Sequence, residues 1–278
     1  MRSTFFTAAV ILLLATAIHS QTTPDRKEGE VWFEPFTITV QNAPVVGELG
    51  RLMVRENRTK PNSRLIEVAF FRLKSTAAKP GYPVIYLDGG PGSSPIGLAS
   101  VPDYMAVFQK LREIGDVILL DQRGVGRSKP MLTRISTRSL PSDVFSNREG
   151  ATKEIVGRFR EAAEHFRSQG VDLTGYNSRE SAHDVDDIRK ALGAEKVNLV
   201  GFSYGTHLTF ACLRYHSDKI DRAAVFGSEG PDHTEKLPSS SDASIRKLAK
   251  VVAADPEIGP KVPDLYATLK RVLEKFAR

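Results

Sequence analysis

Four short apolar runs, 84–87, 117–120, 197–200 and 223–226, are each followed by a loop containing glycine. Continuous apolar stretches of this length are expected of strands buried on both faces. Between them the spacing becomes helical. Ile155, Phe159, Ala162 and Phe166 fall on one face of a helix that ends at Gly170. Val185, Ile188 and Leu192 share a face of another, opened by Asn177 or Ser178 as cap and closed by Gly193. Upstream, 31–75 is rich in Val, Ile, Phe and Thr and is interrupted by Gly47, Gly50 and the polar stretch 56–63, which predicts a few antiparallel strands. Downstream, 237–278 reads as helix divided by Pro256, Pro260 and Pro263. Strand and helix in alternation predict an α/β fold, a mostly parallel, doubly wound sheet with helices on both sides. In such sheets the chemistry gathers in loops at the carboxyl ends of the strands.

Composition narrows this picture. With 278 residues, 41% hydrophobic and 26% charged, the chain has the make-up of a soluble globular protein and not of a collagen, coiled coil or disordered tract. A single cysteine, Cys212, excludes an intrachain disulfide and a cysteine zinc cluster. The net charge of +6 raises nucleic acid as a partner, but its distribution argues against one. Residues 244–278 hold a net +4 and Arg2 adds one, so the body of the chain is nearly neutral and the basic tail reads as helix surface.

Arg2, then the apolar run 8–18, then small and polar residues have the layout of a secretory signal peptide, with cleavage expected after Ala17 or Ser20. The run is too short to span a bilayer, which takes about 20 apolar residues, so export without stable membrane insertion is expected. Asn57-Arg58-Thr59 matches a glycosylation acceptor, relevant only in a eukaryotic secretory pathway.

Three loops carry the candidate chemistry. Gly201-Phe202-Ser203-Tyr204-Gly205 directly follows an apolar strand and directly precedes a helix expected over 206–215. That is the setting of a nucleophile elbow, a turn so tight that glycine is needed at its flanks and the serine Oγ is lifted above the sheet. Asp88-Gly89-Gly90-Pro91-Gly92 follows an earlier strand, where backbone N–H groups can approach a substrate carbonyl; Gly90 and Tyr204 are the expected oxyanion donors. Asp121-Gln122-Arg123-Gly124-Val125-Gly126-Arg127-Ser128 lacks the spacing of a dinucleotide fingerprint, and an internal Asp–Arg pairing is expected to hold this loop beside the site.

In this order and spacing the three motifs resemble the proline iminopeptidase and tripeptidyl aminopeptidase group of α/β-hydrolases, over roughly 30–240. The group has histidine where Asp88 stands, a departure that bears on the shape of the loop. The resemblance implies an α/β-hydrolase fold, a serine nucleophile at Ser203, removal of residues from free N-termini, and an acidic side chain near the lid that grips the substrate amine, a job for which Glu229 is placed. It also implies the chain order Ser, then Asp or Glu, then His. Only 75 residues follow Ser203, and no strand is expected after 223–226. The division expected is therefore a signal peptide at 1–20, an N-terminal hydrolase core at 21–236 ending after the sixth strand, and the start of a helical lid at 237–278.

The acid and histidine of the triad are expected beyond Arg278, leaving this chain nearly inert alone. Among the histidines, His207 is expected to pack along its helix, His216 to end it, and His165 and His183 to be solvated, while His233 lies in a loop near the pocket. The substrate expected is a peptide or small ester, with no metal or cofactor. An esterase or lactonase of the same fold, and a non-catalytic binding protein that kept the pocket, are the competing readings.

Overall fold

The computed structural model describes residues 26–132, 141, 143, 147–232 and 237–276. The expected signal peptide and His233 lie outside the described residues. In chain order the elements are β1 (Val31–Val40), β2 (Ala43–Arg55), β3 (Leu65–Leu73), β4 (Val84–Leu87), the short α1 (Pro95–Leu98), α2 (Pro102–Leu111) and β5 (Val117–Asp121). There follow α3 (Arg148–Ser168), α4 (Ser178–Ala191), β6 (Val197–Phe202), α5 (Tyr204–His216), β7 (Ile220–Phe226), α6 (Pro238–Ala254) and α7 (Leu265–Phe276).

The strands form one sheet in the order β1-β2-β3-β5-β4-β6-β7. Seven strands is one more than the sequence predicts, because 31–75 supplies three. β1 and β2 close a hairpin through Gln41 and Asn42, both at positive φ (46° and 66°), the backbone that suits a two-residue turn to the twist of its strands. Gly47 and Gly50 do not break β2 as expected. They lie inside it because the rings of Phe71 and Phe70 come within 2.6 and 2.4 Å of where their Cβ atoms would stand. β3 runs antiparallel to β5, and β5, β4, β6 and β7 are mutually parallel.

The period-two alternation of the strands divides the core into two layers. Phe70, Ile85, Leu87, Ile118 and Leu120 pack with Val185 and Ile188 of α4 and Leu208 and Cys212 of α5. Their neighbours Phe71, Val84, Tyr86, Val117 and Leu119 pack on the opposite face with Ile96, Met105 and Phe108. The helices thus cover both faces, and continuous apolar strands are the consequence.

Two expectations about burial change. β7 is an edge strand and not one buried on both faces, with Phe226 55% exposed, since no further strand pairs with its outer side among the described residues. α3 forms where its period predicts, yet Phe166 is its one buried side chain and Phe159 stands 72% exposed, since the described residues leave the rest of its apolar face uncovered. α6 and α7 bury no residue; Arg246 of α6 pairs with Asp242 and donates to the Tyr266 hydroxyl of α7 at 2.9 Å. Among the described residues no helix is long and apolar enough to cross a membrane.

Candidate active site

β4 continues to β5 on one side and has β6 on the other, which makes the carboxyl end of β4 a topological switch point where a crevice opens. Leu87 of β4 lies beside Gly201 of β6, and Phe202 of β6 beside Phe226 of β7. The loops after β4, β6 and β7 are therefore neighbours, and they carry Gly89 to Gly92, Ser203 and Glu229.

Ser203 sits between β6 and α5 at φ +52°, ψ −124°, a backbone conformation that a residue with a Cβ adopts only under constraint. The constraint is visible on all sides. The Ser203 N–H donates to Phe226 O at 2.9 Å, and its carbonyl accepts from the Thr206 N–H at 2.8 Å and the Thr206 Oγ1 at 2.7 Å. α5 crosses so close to β4 that a Cβ on Gly205 would lie 1.9 Å from Leu87 O, which is why this flank admits only glycine. The loop after β4 approaches from above. A Cβ on Gly89 would lie 2.8 Å from Ser203 Cβ and 3.2 Å from its Oγ, so the backbone of this loop packs directly against the serine.

The Ser203 Oγ donates to Glu229 Oε1 at 3.4 Å. Glu229 is held there through its backbone, because its N–H donates to Thr206 Oγ1 at 2.8 Å. Thr206, fully buried, thus ties the elbow to the loop after β7. Sequence reasoning passed over it; the signal available was a hydroxyl residue directly after the second elbow glycine. The Tyr204 N–H, at the first position of α5, has no partner a turn earlier within the helix. The Tyr204 side chain is anchored to α4, its hydroxyl 3.0 Å from Ser178 Oγ.

The motif after β5 is structural, but not through the expected Asp–Arg pair. Asp121 accepts from Ser94 Oγ at 2.7 Å, from the Ile96 N–H at 3.3 Å and from the Arg127 N–H at 2.8 Å, because its carboxylate points into loop backbone. Arg123 turns the other way and grips Asp184 of α4 with two hydrogen bonds of 2.7 Å. Asp88 is buried and accepts from the Tyr86 hydroxyl at 3.1 Å, and burial beside this carboxyl raises the Tyr86 pKa. Asn57 is also buried, donating to Asp172 at 2.9 Å and Thr174 at 3.1 Å, so the folded chain does not present it as a glycosylation acceptor.

Among the described residues the imidazoles make other contacts. His207 stacks on Tyr204 with ring centroids 5.6 Å apart, its Nδ1 3.5 Å from Gly230 O. His165 is exposed on α3. His183 is half-buried and not solvated as expected, because α4 packs on α5 and brings its Nδ1 to 2.9 Å from Nε2 of His216. Burial, then the charge of Arg58, lowers the His183 pKa from its ordinary 6.5. A histidine whose folded pKa lies below its unfolded value contributes stability that is fully present above about pH 6.5 and is lost as pH falls from there through the lowered folded pKa. Unfolding in urea at pH 7.5 and 5.5 is expected to show a loss at the lower pH that His183→Gln reduces.

A strained serine turn between strand and helix at the switch point of a mixed sheet, beside a glycine loop, is the arrangement of an α/β-hydrolase. The family model described as the α/β hydrolase fold matches residues 82–264, and the chain belongs to this family. Its relatives include a tripeptidyl aminopeptidase of Streptomyces lividans, 30% identical over 203 residues, which cover 70% of this chain and 35% of the relative. The serine protease Hip1 of Mycobacterium tuberculosis is 28% identical over 195 residues, 66% of this chain and 36% of the relative. The chain spans about a third of the length of these curated relatives. A thermophilic esterase from Thermogutta terrifontis aligns with a TM-score of 0.38 and 18% identity, over 82% of this chain and 65% of that structure.

Proposed function

We propose that this chain carries the nucleophile and amine-binding part of an exported serine exopeptidase acting on free peptide N-termini. The observation that carries the reading is the constrained Ser203, its Oγ 3.4 Å from a carboxylate oxygen of Glu229. Ser203 Oγ attacks the scissile carbonyl carbon, and the N–H groups of Gly90 and Tyr204 hold the oxyanion. Collapse breaks the C–N bond, the serine proton leaves with the amine by way of a general base, and water then cleaves the acyl ester. Glu229 takes the substrate ammonium. The names of the relatives favour a peptide over an ester. No described residue is assigned the part of the base.

A boronic acid mimics the acyl centre and adds to a serine oxygen without turnover. Alanine boronic acid at millimolar concentration is expected to give a tetrahedral boron-11 signal with the wild-type protein and none with Ser203→Ala. A missing signal, or one indifferent to that substitution, overturns the reading. Export through a signal at 1–20, the hydrolase core at 21–236 and a lid beginning at 237 belong to the same proposal. The intact mass of the protein recovered from the periplasm or medium is expected to correspond to a chain beginning at Ile18 or Gln21; recovery in the cytoplasm with Met1 retained overturns the export.

A further inference from the structure

We propose that α7 docks on an anionic lipid surface, with its uncovered apolar stripe in the headgroup–acyl boundary and its flanking lysines on the phosphates. The proposal goes beyond the serine reading and does not depend on it, since no residue of the crevice takes part.

α7 is set up locally and held at its start. The Asp264 carboxylate accepts from the Ala267 N–H at 2.8 Å and caps the first turn. The Tyr266 hydroxyl donates to Asp242 of α6 at 2.5 Å and accepts from Arg246 at 2.9 Å. Beyond that contact residues 270–276 are all exposed, and Val272, Leu273 and Phe276 stand 43%, 57% and 68% in solvent. At about 100° per residue these three fall with Leu265 and Leu269 on one arc of about 100°. Single exposed apolar residues are ordinary on a protein surface, whereas a continuous stripe of them marks a contact surface.

Charge chooses the occupant. Lys270 and Lys275 stand about 60° beyond the two edges of the stripe, where their stems can run along an apolar boundary while the ammonium groups reach phosphate. Each of α6 and α7 carries three basic side chains against one acidic. Among the described residues the ion pair within these helices is Arg246 with Asp242, which leaves Lys247, Lys250, Lys270, Arg271 and Lys275 without one. A second copy seated on the same stripe would bring these cations against their own kind, whereas an anionic bilayer meets them with phosphate. The helix lies on such a surface and does not cross it: its 12 residues reach about 18 Å, and the hydrocarbon core is about 30 Å thick.

The test is flotation with lipid vesicles, using the chain from Gln21 so that the apolar run 8–18 does not contribute. Phosphatidylcholine vesicles containing roughly 30% phosphatidylglycerol are expected to bind it at least about tenfold more tightly than pure phosphatidylcholine, and to release it as salt is raised. Lys270→Gln and Lys275→Gln are each expected to weaken binding about fivefold. Leu273→Ser combined with Phe276→Ser is expected to abolish it with the thermal midpoint unchanged, because α7 buries no side chain. Equal binding to neutral and anionic vesicles, no binding to either, or binding indifferent to the α7 substitutions overturns the proposal. So does a lipid-free dimer, seen by sedimentation, that the two serine substitutions dissolve, since the stripe then belongs to a second copy. Each of these results leaves the Ser203 reading standing. If the serine substitutions lower the midpoint, the two lysine variants still decide the outcome.

Discussion

Purified residues 21–278 are expected to release aminoacyl anilides at roughly 10⁻⁶ of the rate of a complete serine-triad enzyme, the penalty seen when a triad loses its serine or histidine. A serine hydroxyl is a weak nucleophile until an imidazole takes its proton and a carboxylate fixes that imidazole. Here the Oγ of Ser203 faces Glu229, and among the described residues no imidazole is hydrogen-bonded to it. His216 ends α5, at about 1.5 Å per residue roughly 20 Å from the serine that immediately precedes it. His207 is engaged with Tyr204 and Gly230. Anilide release by the wild type should accordingly match that of Ser203→Ala. Robust turnover that vanishes in Ser203→Ala would overturn this and direct attention to His233.

Arg123→Met is expected to cost about 3–5 kcal/mol, the scale for breaking a buried ion pair. Arg123 is 4% exposed, and its guanidinium makes both bonds to Asp184 while donating to Glu56 O at 2.6 Å and Gly175 O at 2.7 Å. Methionine fills similar space and satisfies none of these acceptors. Arg58 also bonds Asp184, at 2.7 Å, so the carboxylate keeps one cation, but the buried carbonyls of Glu56 and Gly175 lose theirs. A loss of this size is a large share of a typical total stability of about 5–15 kcal/mol. Thermal unfolding should show a midpoint lowered by roughly 10 °C. Arg127→Met serves as the control, since Arg127 is exposed and lies over the Phe36 ring at 4.5 Å, a contact worth about 0.5–1 kcal/mol. Equal effects from the two substitutions would remove the buried pair as the keystone of this loop.

The parallel strands and the elbow were legible because their requirements are local. A continuous apolar run ending in glycine forecasts β4, β5 and β6, and the Gly201 to Gly205 spacing places Ser203 on its turn. What depends on packing was not legible. Nothing in the sequence indicates that Arg123 reaches Asp184, 61 residues away, in preference to the nearby Asp121. His183 read as solvated because its own helix suggests so, and only the approach of α5 pairs it with His216. Edge position is likewise a property of the sheet, so 223–226 looks in sequence like any buried strand.

That edge position has a kinetic consequence. Exposed outer strands open by local fluctuation at less cost than the core. The Ser203 N–H is bonded to the last residue of β7, and Glu229 follows three residues later. Fraying of β7 therefore releases the serine turn and its carboxylate together, while α4 and the inner strands stay packed. Among the described residues, the N–H side of the Ser203 turn and the position of Glu229 therefore depend on β7 staying in register with β6.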